Sequence, residues 1–223
     1  MKITLKTEAK LKTDVLIIGG GVVGMAAAYE LAQKGIKATI IDKGDIGAGC
    51  SYGNAGWLTP CFAMPLPMPG MLFKSAKWLL NPESPLYIKP EPSLLLLRWL
   101  THFLFAMNQK QAETAVKALV GISNYSLQAY KDLDRKFQGQ TQLHERGLLM
   151  VGQSDEGVDA ALTEMNLVAE HGVPGRQMSP EEIRQFEPAL TGSLKGGVYF
   201  PTEAHAEPLA IVKTLAKAAQ ELG

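Results

Sequence analysis

The segment DVLIIGGGVVGMAAAYELAQKGIKATIID, Asp14 to Asp42, constrains the fold more than any other. After Asp14, the run to Ile18 is continuously apolar, the pattern of a strand buried on both faces of a parallel sheet. The run breaks at Gly19, Gly20, Gly21, Val22, Val23 and Gly24. An alanine-rich helical pattern continues to Lys34, and Gly35 stops it. A second strand is expected from Ile36 to Ile41, ending in Asp42. Strand, glycine turn, helix and strand make a βαβ unit of the doubly wound α/β kind.

Each position in the turn has a mechanical job if the turn holds a dinucleotide. Gly19 allows the sharp exit from the strand. Gly21 lets the helix N-terminus approach a pyrophosphate, whose charge meets free backbone N–H groups and the helix dipole. Gly24 and Ala28, one turn apart, let the helix lie close on the sheet. Val22 and Val23, between the glycines, belong to the same candidate cofactor site. Asp42 is placed to accept hydrogen bonds from adenosine ribose hydroxyls, and an acid there would repel a 2′-phosphate. A GxGxxG pattern alone is weak evidence. Here it has the strand before it, the helix after it and the acid beyond. The alternative is a glycine-rich turn without a ligand.

The residues beyond Asp42 separate a nicotinamide cofactor from a flavin. The stretch GAGCSYGNAG, Gly47 to Gly56, holds four glycines, two alanines and a serine in ten residues. A loop of this kind can run beside a long cofactor, offering N–H donors and a serine hydroxyl while no side chain blocks a flat ring. Without a ligand it reads as a surface Ω-loop. Taken together, IIGGGVVGMAAAYELAQKG, IIDKGDIGAGCSYGNAG and the WLTP after them resemble the amino-terminal part of the FAD-dependent D-amino acid oxidase superfamily. Within it, the stretches resemble the bacterial D-amino acid dehydrogenases. The resemblance implies that Ser51 helps hold the pyrophosphate region and that Lys43 sits near the adenosine. It also implies that Gly53, Asn54, Ala55, Gly56 and Leu58 lie beside the isoalloxazine. Cys50 is read as a small buried residue rather than a covalent flavin attachment.

Composition narrows the function classes. Lys plus Arg equals Asp plus Glu at 22 each, which argues against nucleic-acid binding, where an excess of positive charge is needed. Cys50 and Cys61 make neither a metal spacing nor a disulfide framework, as expected in a reducing compartment. The polar, mixed-charge start does not read as a signal peptide. LLLLRWLTHFLFAM, Leu94 to Met107, is too short to span a bilayer and is read as a buried helix, with a helix lying on a membrane surface as the alternative.

Eight of the thirteen prolines fall between residues 60 and 92, an extended excursion with a short helix expected at MLFKSAKWLL. Its apolar residues, Leu66, Met68, Met71, Leu72 and Phe73 beside Lys74 and Lys77, are expected to pack on a second domain; contact with a membrane or a quinone carrier is the alternative. Two helical pieces are expected from Ser93 to about Gln138, a strand at Arg146–Gly152, and a helix from Asp155 stopped by Gly172. SPEEIRQFEP has a capping-box start, GGVYFP reads as a strand, and EPLAIVKTLAKAAQEL as a helix with Leu209, Val212, Leu215, Ala216 and Ala219 on one face. Mixed elements after a βαβ opening suggest a second, antiparallel-sheet domain. His205 is read as structural, at a turn into the last helix. His102, His144 and His171 have no partner at catalytic or ligand spacing, and HExxH, GxSxG and CxxC motifs are lacking.

The expected architecture is a Rossmann-like FAD-binding βαβ unit with an interleaved α+β substrate domain, incomplete in this chain. Residues 1–60 form the first part of the FAD-binding domain and 61–92 the proline-rich excursion. Residues 93–205 form the helical segment and substrate domain, and 206–223 a helix returning to the FAD-binding domain. Family members are roughly twice as long, and the resemblance puts the arginine and tyrosine that grip the substrate carboxylate in the other half. It implies oxidation of the C–N bond of a D-amino acid by hydride transfer to FAD, with electrons passing to a quinone. The alternatives are a glycine-, sarcosine- or proline-type amine oxidase, or a cofactor-binding half active only with a second chain. No residue of this chain is assigned to catalysis and no metal is implied. The implied partners are an amino acid substrate and a second half or chain completing the fold, in the cytoplasm or at the inner face of the cell membrane.

Overall fold

A computed structural model describes residues 12–69 and 93–223. The residues ahead of Lys12 and the helix expected at MLFKSAKWLL lie outside the described residues, as does most of the proline-rich excursion. In chain order the elements are β1 (Val15–Ile18), α1 (Val22–Gln33), β2 (Ala38–Ile41) and β3 (Trp57–Leu58), then a 3₁₀ turn at Pro60–Phe62. They continue with α2 (Leu94–Ala106), α3 (Gln109–Lys136), β4 (Leu148–Gly152), α4 (Asp155–Ala169), β5 (Arg176–Met178), α5 (Pro180–Phe186), β6 (Gly196–Phe200), β7 (Ala204–His205) and α6 (Pro208–Leu222).

The chain divides into two units, each assembled from separated segments. The first takes residues up to Trp57, Tyr130–His144 and His205–Gly223; the second takes Leu58–Ala129 and Glu145–Ala204.

In the first unit β1 and β2 pair in parallel, Val15 opposite Ala38 and Ile18 opposite Ile41. Helix α1 ends where Gly35 adopts φ +71° and its N–H donates to the Ala32 carbonyl. Helix α6 starts with Glu207, whose side chain accepts from the Ala210 N–H, and with Pro208 in the first turn, where a missing N–H costs nothing. It packs on α1 and buries Ile211, Val212, Thr214, Leu215, Ala216 and Ala218, a broader face than the sequence periodicity indicates. Lys136, at the end of α3, donates to the Tyr29 hydroxyl at 2.6 Å and stands 5.1 Å over the same ring.

The first unit corrects one expectation. The β1 run is not buried on both faces: Leu16 is 55% exposed, Ile18 82% and Ile41 47%. Side chains alternate across a strand, and the in-register pairing puts these three on one face. That face is bare among the described residues.

The second unit is built on an antiparallel sheet in the order β4-β6-β5. Strand alternation divides its core. Val198 and Phe200 join Cys61, Val116, Val120, Val168 and Val173 in one cluster, with Leu148 and Met150 against it. Met178, Ile183 and Leu194 form another with Leu149, Val151 and Tyr199. Helix α5 has the full capping box: Ser179 accepts from the Glu182 N–H at 3.2 Å, and Glu182 accepts from the Ser179 N–H at 2.7 Å. Cys61 is fully buried. Desolvation, then the neighbouring charges of Glu203 and Glu164, push its thiol well above the ordinary range, which makes it an inert core residue.

Two further expectations fail. Helix α2 is not a buried helix: none of its residues is buried, and Leu94 is 87% and Phe105 75% exposed. Cys50 is exposed rather than buried, because its loop lies open. No helix of the described residues is long and apolar enough to cross a membrane.

Two glycines give opposite predictions for stability. A Cβ on Gly197, in the central strand β6, would collide with the Met150 carbonyl oxygen of the paired strand. Gly197→Ala is expected to destabilise the chain by about 1–3 kcal/mol. A Cβ on Gly157, in the first turn of α4, would make only ordinary contacts at 3.5 and 3.6 Å, so Gly157→Ala is expected to stabilise by a few tenths to about 1 kcal/mol. Urea unfolding of both variants checks the pair.

Candidate functional site

The site grows from the end of β1. Gly19 leaves the strand at φ +111°, a conformation that glycine adopts without steric cost, and its N–H donates to the Ile41 carbonyl at 2.8 Å. Helix α1 begins three residues later. A Cβ on Gly24 would collide with the Gly19 carbonyl oxygen and crowd the Ile17 side chain at 3.3 Å, so the third glycine of the pattern is where the helix lies closest to the strand. A Cβ on Gly21 would come within 2.9 Å of the Ser51 hydroxyl.

Two polar side chains converge on this turn. Asp42, just past β2, accepts from the Gly20 N–H at 2.6 Å through one carboxylate oxygen and from the Gly44 N–H at 2.9 Å through the other. The Gly20 N–H, then that of Gly44, hold its carboxyl below the usual carboxylate range; the adjacent Lys43 charge acts in the same direction more weakly. Ser51 accepts from the Val22 N–H at 2.9 Å, so a residue far along the chain caps the first turn of α1. The helix receives no side-chain cap from Gly21 and has no acid in its first turn. Its positive end is thus not neutralised by a carboxylate of its own.

The Gly47–Gly56 loop is held at few points. The Gly47 N–H donates to the Gly20 carbonyl at 2.9 Å, tying the start of the loop to the turn. The Asn54 amide donates to the carbonyls of Cys50 and Ser51 at 3.2 and 3.1 Å, and its oxygen accepts from the Gly56 N–H at 2.8 Å. Asn54 therefore closes the loop on itself and supports the peptide that carries Ser51. Gly56 is buried at φ +67°, where a Cβ would collide with the Ala206 carbonyl oxygen, and its own carbonyl accepts from the Ala206 N–H at 2.9 Å.

The sequence-derived residues thus separate into groups. Gly19, Gly21, Val22, Gly24, Asp42 and Ser51 meet at one turn, with Val23 exposed on the first turn of α1. Asn54 and Gly56 shape the loop rather than the turn. Lys43, Gly53 and Ala55 are exposed, and Leu58 belongs to the second unit. Gly20 has no role in the GxGxxG pattern, yet its N–H binds Asp42; the unbroken GGG run is the signal in the sequence that marks it. A cleft of about 560 Å³ opens beside the turn, with Gly20, Asp42 and Gly44 at its polar end and Met25, Ala28 and Ala216 among its apolar walls.

This geometry fits a dinucleotide with a flavin. The helix N-terminus has no acid in its first turn, a Cβ on the glycine before it would crowd the Ser51 hydroxyl, and a carboxylate stands just past the second strand. Three comparisons bear on it. The profile of the DAO family, described as FAD dependent oxidoreductase, matches residues 14–223. D-amino acid dehydrogenase from Neisseria meningitidis serogroup C is 32% identical over 217 residues, covering 94% of this chain and 51% of the relative. The enzyme of the same name from Neisseria gonorrhoeae is 31% identical over the same share. The chain therefore spans about half the length of the curated relatives it matches. Among solved structures, glycine oxidase from Bacillus cereus matches with a TM-score of 0.65 at 22% identity, covering 95% of this chain and 45% of that one. L-proline dehydrogenase from P. horikoshii also gives 0.65, at 21% identity, over 95% and 42%. At these identities the structural matches establish the fold, and the profile over nearly the whole chain establishes the family: the protein belongs to the DAO family of FAD-dependent oxidoreductases.

Proposed function

We propose that this chain is the FAD-holding half of an oxidoreductase that oxidises the C–N bond of D-amino acids. The observation that carries the reading is the turn where Gly21, Ser51 and Asp42 meet at the open N-terminus of α1, in a chain whose curated relatives are named D-amino acid dehydrogenase. FAD, when bound, supplies the acceptor for the substrate's α-hydrogen, which leaves as hydride; the imino acid then hydrolyses in water. The chain's own residues bind and orient. The N–H groups at the start of α1 face the pyrophosphate, and the missing side chain at Gly21 lets it approach. Asp42 has lone pairs beyond its two backbone partners for the ribose hydroxyls, with Lys43 beside the adenosine. Ser51 would help hold the pyrophosphate region, and Gly53, Asn54, Ala55 and Gly56 would lie beside the flat ring. Positioning of this kind needs little acid–base help from the protein.

On this reading residues 1–60 and 206–223 belong to the FAD-binding domain and 93–205 to the helical segment and substrate domain. The bare face of Leu16, Ile18 and Ile41 supports a requirement for further polypeptide, on this chain or another, since a parallel sheet is stable when both faces are covered. The exposed apolar residues of α2 support contact with a membrane surface, where a quinone acceptor would be met; Arg98 is the one charged residue in that helix. A second reading, a glycine- or proline-type amine substrate, is favoured by the names of the two structural matches.

The visible spectrum of the purified chain tests the cofactor reading, and anaerobic bleaching by D-alanine, glycine, sarcosine and L-proline in turn, with the polypeptide that completes the fold present, tests the substrate. Bleaching by D-amino acids alone, with a soluble quinone restoring the yellow band, is expected; bleaching by glycine or proline alone would favour the second reading. Gly21→Val is expected to abolish flavin binding, measured as the flavin-to-protein ratio, because bulk at that position fills the approach to the helix N-terminus. Asp42→Ala is expected to raise the Kd for FAD about 10–100-fold while leaving the far-UV circular dichroism unchanged. Because the Asp42 carboxyl titrates below its ordinary value in the folded chain, its bonds to Gly20 and Gly44 are complete at neutral pH. They are lost only as pH falls through that lowered value.

A further inference from the structure

We propose that His144 and His205 form a binding site for a divalent transition-metal ion of the zinc and copper type. The two residues are far apart in the sequence and no ligand spacing connects them, yet they sit opposite each other in an antiparallel bridge. The His144 N–H donates to the His205 carbonyl at 2.7 Å, and the His205 N–H donates back to the His144 carbonyl at 3.1 Å. Residues that exchange both backbone bonds project their side chains on the same side of the ladder. The rings obey this rule: their centroids are 5.2 Å apart with 38° between the planes.

That separation suits a shared ion. A metal about 2.0–2.1 Å from an imidazole nitrogen lies roughly 3.2 Å from the ring centre, and two rings centred 5.2 Å apart then subtend roughly 110° at it, near the tetrahedral angle. Imidazole is the ligand that zinc, copper and nickel favour, whereas calcium and magnesium prefer oxygen donors. His144 is exposed and His205 half-buried, so an ion reaches the pair from solvent. Glu207, two residues beyond His205, is already engaged as the cap of α6. Among the described residues no cluster of three or more histidine, cysteine or acidic side chains could hold an ion, so these residues supply two ligands and water would fill the remaining positions. Affinity is accordingly below that of a four-ligand structural site. A bound ion would fasten the segment after α3 to the entry of α6, both within the first unit. Such a site would stand whether or not the chain holds FAD.

The test is a Zn²⁺ titration of the full chain against a competing fluorescent chelator, with thermal unfolding recorded in parallel. One ion per chain is expected, with a rise in Tm on adding Zn²⁺. His144→Ala and His205→Ala should each weaken binding at least tenfold and remove the Tm rise. His171→Ala and Cys50→Ser, which remove a histidine and an exposed thiol elsewhere, should leave both unchanged. His144→Gln and His205→Gln keep comparable bulk, so the same loss with an unaltered far-UV circular dichroism spectrum separates lost ligation from misfolding. Failure of the wild-type chain to bind Zn²⁺, undiminished binding in either histidine variant, or loss in the Cys50→Ser control would overturn the proposal.

Discussion

The close approach of α1 to the end of β1 is the constraint on which the first unit depends. Gly24 lies so near the Gly19 carbonyl that no side chain fits between them. With the helix lodged there, its open N-terminus stands over the strand exit, within reach of Ser51. The adjacent Gly20 N–H is met by Asp42 from the second strand. A methyl group at residue 24 would lift the helix and separate these groups together. The turn is therefore one device whose parts are held by a single steric contact, rather than a set of independent ligands.

The turn and its polar partners were legible because their determinants are local or recur at fixed distances: three glycines at set spacing, an acid at the tip of the next strand and a serine in the loop beyond. The capping box at Ser179 was legible for the same reason, since all its atoms belong to four consecutive residues. The features hidden from the sequence depend on contacts between distant segments. The partnership of His144 with His205 arises only from strand pairing. β5 was not foreseen, because Arg176–Met178 is short and lacks an apolar alternation; it exists by pairing with β6. The exposure of α2 is hidden for the same reason: an apolar run reports what a segment avoids in water without saying what covers it.

The same distinction explains β1. Its unbroken apolar run predicts cover on both faces, and among the described residues Leu16, Ile18 and Ile41 are left exposed on one of them. In the second unit, by contrast, the alternation along β4 and β6 is matched by an apolar cluster on each side of the sheet. The antiparallel β4-β6-β5 sheet thus carries an apolar cluster on each face. The parallel one carries the candidate cofactor turn on a half-covered base.

The division of the first unit among separated segments also governs how it forms during synthesis. β1, α1 and β2 leave the ribosome early, while α6, which covers α1, begins only at Pro208. At bacterial elongation rates the interval is roughly 10–30 s. Throughout it the nascent chain presents the apolar side of α1 and both faces of a two-stranded sheet, long after hydrophobic collapse could have occurred. The order of segments thus leaves the βαβ part of the first unit without its α6 cover for that interval, when exposed apolar surface is prone to aggregate.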